Sequence, residues 1–167
     1  TEGAVTDLGV GGFMVAAPLP TLQVAKVSEV LSDPVNAAVN PKRIPGAVVR
    51  YTIAVTNSGP GAVDASSLVI TDPVPANSAL YVAAGGGGPV EFIDGTPASG
   101  LAFNVATDVS YSNQPGGGAP YNYTPMPDGQ GFDPLVTGVR IAPTGTMNAA
   151  TGASQPAFTI RLRVRVR

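Results

Sequence analysis

A chain of 167 residues, 44% of them hydrophobic, has room for one domain with a packed core, alone or with an appendage, but its 21 glycines and 17 prolines exclude a helical one. It contains no His, Cys or Trp, which excludes Ser-His-Asp and Cys-His catalysis and the His/Cys sites that hold most zinc. The net charge of −2 conceals an asymmetry: residues 1–135 carry all 11 acids and only Lys26, Lys42, Arg43 and Arg50, whereas residues 136–167 carry five arginines and no acid. Opposite charge on two parts of one chain can orient subunits head to tail.

Residues 1–20 read as an extended apolar arm and hinge. Val5, Leu8, Val10, Phe13 and Val15 stand among glycines, and Leu8/Val10 and Phe13/Val15 alternate at period two. Gly9, Gly11 and Gly12 permit close approach of another backbone, and Pro18 and Pro20 break the run. No basic region precedes the apolar residues, so the start does not read as an uncleaved signal peptide. No uninterrupted apolar stretch is long enough to span a membrane.

Residues 21–167 read as strands separated by turns. The segment 21–30 is the first core strand, and 31–46 a Pro- and Asn-rich loop. In 47–56, Val49, Tyr51, Ile53 and Val55 point one way and Arg50, Thr52, Ala54 and Thr56 the other. Asn57-Ser58-Gly59-Pro60-Gly61 signals a turn. Strands are expected at 68–70, 80–82, 90–93, 101–105, 108–112 and 135–141, with loops over 85–88, 113–134 and 146–156. The last segment places Phe158, Ile160, Leu162, Val164 and Val166 on one face and Thr159, Arg161, Arg163, Arg165 and Arg167 on the other. Turn signals about every ten residues predict an all-β, immunoglobulin-like antiparallel sandwich of about seven to nine strands, with the arm in front.

Asp94, Asp108, Asp128 and Asp133 lie in or near loops without the spacing that carboxylate catalysis requires, so no enzyme activity and no cofactor are expected. Asp128 and Asp133 share the Gly-rich stretch Asp128-Gly129-Gln130-Gly131-Phe132-Asp133, the oxygen-rich kind of loop that calcium takes, although turn formation explains both. The arginines of the last strand repeat every ~6.7 Å. The chain is acidic overall and no aromatic residue interleaves with them, which argues against nucleic acid as a partner.

Three stretches carry a family resemblance. They are Leu22-Gln23-Val24-Ala25-Lys26-Val27, the run from Pro45 to Gly59 (PGAVVRYTIAVTNSG), and Leu68-Val69-Ile70-Thr71-Asp72-Pro73-Val74-Pro75, followed by the closing strand Phe158–Val166. With its Lys-bearing first strand, "PG…V.YTI.VTN.G" and "V.DP.P", the chain resembles the bacterial surface "conserved repeat domain", specifically through Val82 and more loosely over 83–157. The resemblance implies a sandwich related to immunoglobulin folds and export to the cell surface or beyond. It implies no activity, since that family has no shared catalytic residues.

Two functions fit these readings. In the first, the chain is a subunit of an extracellular, pilus-like filament, a homopolymer in which the arm leaves its own domain and adds as a strand to a neighbour. Arg161, Arg163 and Arg165 then mark the candidate acceptor-edge strand, with Glu2 and Asp7 of the arm as their partners. In the second, the chain is a monomeric adhesion or matrix module, the loops 83–100 and 113–134 hold a surface ligand, and the arm is a strand completing its own sandwich or a disordered tail.

Overall fold

The computed structural model describes residues 17–85 and 88–167. Among these it places eleven strands: β1 (Leu22–Ser32), β2 (Val48–Asn57), β3 (Ile70–Pro73), β4 (Ser78–Tyr81), β5 (Val90–Asp94), β6 (Leu101–Ala102), β7 (Val109–Ser112), β8 (Phe132–Asp133), β9 (Gly138–Ile141), β10 (Thr144–Gly145) and β11 (Ala157–Val166). The first sheet runs β1-β2-β11, continues along the far side of β11 with β5 and then β4, and ends on β8. The second sheet is β3-β9-β7, and β6 pairs with β10 in a two-strand ribbon. All these pairings are antiparallel. The protein is an antiparallel β-sandwich.

The alternation read from the sequence sets both faces of the first sheet. Opposed residues of an antiparallel pair share a face, and β2 and β11 match Val55 with Phe158, Ile53 with Ile160, Tyr51 with Leu162 and Val49 with Val164. Phe158, Ile160, Leu162 and Val164 are all buried, against Val136, Val139, Ile141 and Met147 from the second sheet and its flanking loops. Phe92 of β5 stacks on Phe158 and on Phe103, with centroids 5.2 and 5.1 Å apart. Each of the larger side chains contributes about 1.5–3 kcal/mol by leaving water.

The strand count exceeds the expected range because β6, β8 and β10 are two residues long, too short to show alternation. The strand expected over 101–105 stops at Ala102. Asn104 instead caps a single helical turn, α1 (Val105–Asp108): its side-chain oxygen accepts from Ala106 N at 3.0 Å, and its own N–H donates to Asp108 Oδ2 at 2.8 Å. Asn and Asp four residues apart supply both halves of that cap and outweigh the β preference of Val105. No helix among the described residues is long and apolar enough to cross a membrane, a statement that leaves β-barrels aside.

Candidate assembly edge

Strand β11 is not an edge. It pairs with β2 along one side, and with β5 (through Phe158–Leu162) and β4 (through Val164–Val166) along the other. Arg161, Arg163 and Arg165 therefore cannot offer main-chain bonds to an incoming strand, which corrects their assignment as an acceptor edge. Their side chains are engaged within the subunit. Arg161 pairs with Glu91 at 3.5 Å. Arg163 lies 4.0 Å from the Tyr81 ring centre and donates to Gly88 O at 3.2 Å. Arg165 pairs with Asp128 at 2.5 Å, bonds Gln130 and covers the Phe132 ring. The ladder is a cladding on the outer face, in which guanidinium planes shield aromatic rings.

Among the described residues the open edge is β1. Among the described residues this eleven-residue strand pairs with β2 alone. Leu22, Val24 and Val27 are 42%, 66% and 63% exposed, far more than strand residues covered on both sides. The register puts Val24, Lys26, Ser28 and Val30 on the core-facing side, opposite Val55, Ile53, Tyr51 and Val49. On the second sheet β3 pairs with β9 alone among the described residues. Lys26 Nζ reaches Asp72 Oδ1 on β3 at 2.5 Å and lies 4.8 Å from the Tyr51 ring centre. One ion pair thus spans the flank where both sheets end. A lysine on an edge strand commonly wards off further strands, but this one is folded inward and does not cover the backbone edge of β1.

The segment that leads into β1 is held in a fixed direction. Residues 18–21 continue the antiparallel course beyond β2: Ser58 N donates to Thr21 O at 2.9 Å and Gly61 N to Leu19 O at 3.1 Å. The approach is close enough to require glycine twice. A Cβ on Gly59 would lie 2.3 Å from Thr21 N, and one on Gly61 2.1 Å from Pro18 O. Asn57 is fully buried beside them. Its Oδ1 accepts from Thr21 N and Gly59 N, each at 3.0 Å, and its Nδ2 donates to Gly61 O at 2.8 Å and Asn148 O at 2.9 Å. The sequence signal read as a turn is thus an anchor that fixes residues 18–21 in line with β1. The arm residues Val5, Leu8, Val10, Phe13 and Val15 lie outside the described residues.

The four carboxylates weighed from the sequence each serve their own turn. Asp94 accepts from Gly95 N and Ser99 N at 3.1 and 2.7 Å, and Asp108 from Asn104 N and Thr107 Oγ1, both at 2.8 Å. Asp133, 1% exposed, accepts from Tyr123 Oη (3.0 Å), Met126 N (2.7 Å) and Leu135 N (2.8 Å). Asp128 accepts from Gln130 N and Phe132 N at 2.9 and 3.0 Å, besides Arg165. The oxygens of Asp128 and Asp133 are thus spent on separate sets of protein donors, so the pair does not form the calcium site considered from the sequence. No cluster of three or more metal-binding side chains occurs among the described residues.

Among the described residues Asp33, Asp94 and Asp128 are held below the ordinary carboxylate value, Asp33 and Asp128 the furthest. The N–H groups of Asn36 and Lys42 hold Asp33 down to about 2, and the Phe132 N–H and Arg165 hold Asp128 down to about 2. Both groups bind protons more weakly folded than unfolded. Their contribution is therefore complete above an unfolded value of roughly 4 and is lost as pH falls toward 2. Thermal melts should show a melting temperature with little dependence on these groups above about pH 5 and a decline below about pH 4, smaller in Asp33→Asn and Asp128→Asn than in the parent chain.

Comparisons with protein-family models, with curated proteins and with solved structures returned no match.

Proposed function

We propose that this chain is a structural subunit of an extracellular filament, in which the N-terminal arm of one copy adds as a strand to the exposed β1 edge of the next. The observation that carries the reading is β1 itself, with eleven residues of backbone paired on one side only among the described residues and flanked by exposed Val24 and Val27. An unprotected edge of this length is a template for another strand. The direction of residues 17–21 adds to it. A chain leaving in line with β1 must reverse completely to lie on its own edge, but meets a neighbour by continuing straight. Residues 4–16 extended would reach about 40 Å, enough to cover β1. The resemblance to bacterial surface repeat domains favours export.

A monomeric binding module working through the loops has less to rest on. The 113–134 segment is fastened to the sheets by Asp133, by the Tyr123 N–H to Tyr111 O at 3.0 Å, and by Thr137 Oγ1 to Gln114 O at 2.6 Å.

The test is the assembly state of the full chain, by negative-stain microscopy and light scattering. The parent chain should form filaments. Val24→Lys with Val27→Lys should remain monomeric at an unchanged melting temperature, because both positions are exposed in the subunit and only strand addition would bury them. A truncation beginning at Thr21 should also remain monomeric. A full chain that stays monodisperse at every concentration rules the reading out.

A further inference from the structure

At one end of the sandwich the chain crosses from β3 to β4 through residues 74–77, and between that crossing and the first sheet lies an apolar cleft. It has a volume of about 240 Å3 and is lined by Val49, Tyr51, Pro75, Val164, Val166 and Arg43, among others. This is below the roughly 300–1,000 Å3 of small-molecule sites and suits one or two apolar side chains. We infer that the cleft receives an apolar side chain from the arm of a second copy, so that subunits join head to tail; the inference rests on the filament reading above.

Three observations favour this occupant. First, position: β2 starts beside the cleft and finishes at Asn57, where residues 18–21 leave the domain, so the arm departs from the end opposite the cleft. A contact between opposite ends of two copies does not close on itself and propagates as a fibre. Second, composition: residues 1–16 hold seven Val, Leu, Phe, Met or Ala side chains in the stretch from Val5 to Ala16, so the arm has apolar residues to offer. Third, charge: the arm carries Glu2 and Asp7 and no base, and Arg43, which donates to Ser28 Oγ at 2.8 Å, is the charged residue on the cleft wall. Ser28 stands on β1, opposite Tyr51, so the cleft adjoins the edge that accepts the strand.

The experiment measures the critical concentration for filament growth of full-length variants. Ala76→Trp places a ring on the exposed rim of the cleft and should raise the critical concentration about tenfold or more, equivalent to about 1.4 kcal/mol of contact energy, at an unchanged melting temperature. Arg43→Glu and Asp7→Arg should each raise it, and the two together should bring it back toward the parent value, a rescue that a merely structural role for Arg43 would not give. If Ala76→Trp and Arg43→Glu grow as the parent does while Val24→Lys/Val27→Lys is blocked, the cleft is not the acceptor and the strand-addition reading stands. If the parent chain does not assemble, both fall.

Discussion

Asn57→Ala is expected to destabilise the domain by about 2–4 kcal/mol, because four backbone groups lose a side-chain partner and two of those bonds, to Gly59 N and Gly61 O, are buried. The Asn57 amide, with no solvent exposure, binds Thr21 N, Gly59 N, Gly61 O and Asn148 O at 2.8–3.0 Å. It thereby joins the entry to β1, the end of β2 and the loop before β11. Denaturant unfolding should show the loss as a lower midpoint, and amide exchange should speed up first at Thr21 and Gly59. Asn57→Asp keeps the shape but turns an anion toward the carbonyls of Gly61 and Asn148, and should be nearly as damaging. If Asn57→Ala costs less than about 1 kcal/mol, the anchor is not what fixes the course of residues 18–21. In the filament reading the same substitution frees the direction of the arm, so assembly should weaken beyond what lost stability explains.

The second large effect is expected at Asp133. Removal of its carboxylate in Asp133→Ala orphans the Met126 and Leu135 N–H groups and the Tyr123 hydroxyl, all part-buried, at a cost of about 2–4 kcal/mol. The tie between β8 and the 119–126 stretch goes with it. Tyr123 gives an independent readout. Burial and the neighbouring Asp133 raise its hydroxyl above the ordinary tyrosine value. A spectrophotometric titration of Asp133→Ala should therefore find a tyrosine ionising at lower pH than in the parent. No change in that titration would show that the carboxylate and the hydroxyl do not interact in solution.

The strands most legible in the sequence were those with one polar and one apolar face. VRYTIAVT (49–56) and FTIRLRVRV (158–166) alternate, and both lie in register across β2 and β11 as their pattern requires. Alternation reports faces, however, not neighbours. A basic strand late in the chain reads as an edge, yet β11 is central, since β4 and β5 supply its second side. The partners of its arginines come from 70 residues away at Glu91 and 37 at Asp128, distances over which no local pattern carries information. The actual edge, β1, was legible as a strand but not as exposed, because Leu22, Val24 and Val27 have the composition of a covered one.

The candidate site divides in the same way. Lys26, Asp72, Asn57, Gly59 and Gly61 were all visible as motif residues, and their roles were not. Lys26 and Asp72 meet across the flank of the sandwich from 46 residues apart, and the two glycines are required by a backbone passing within van der Waals distance, not by the turn itself. By itself the sequence determined the class of fold, its two long core strands and its lack of imidazole and thiol chemistry, because these follow from local periodicity and composition. Only the tertiary structure decided which strand is left open among the described residues, the course of residues 18–21 and which charges are already matched, because each depends on pairings between distant segments that loop closure and sheet order settle together.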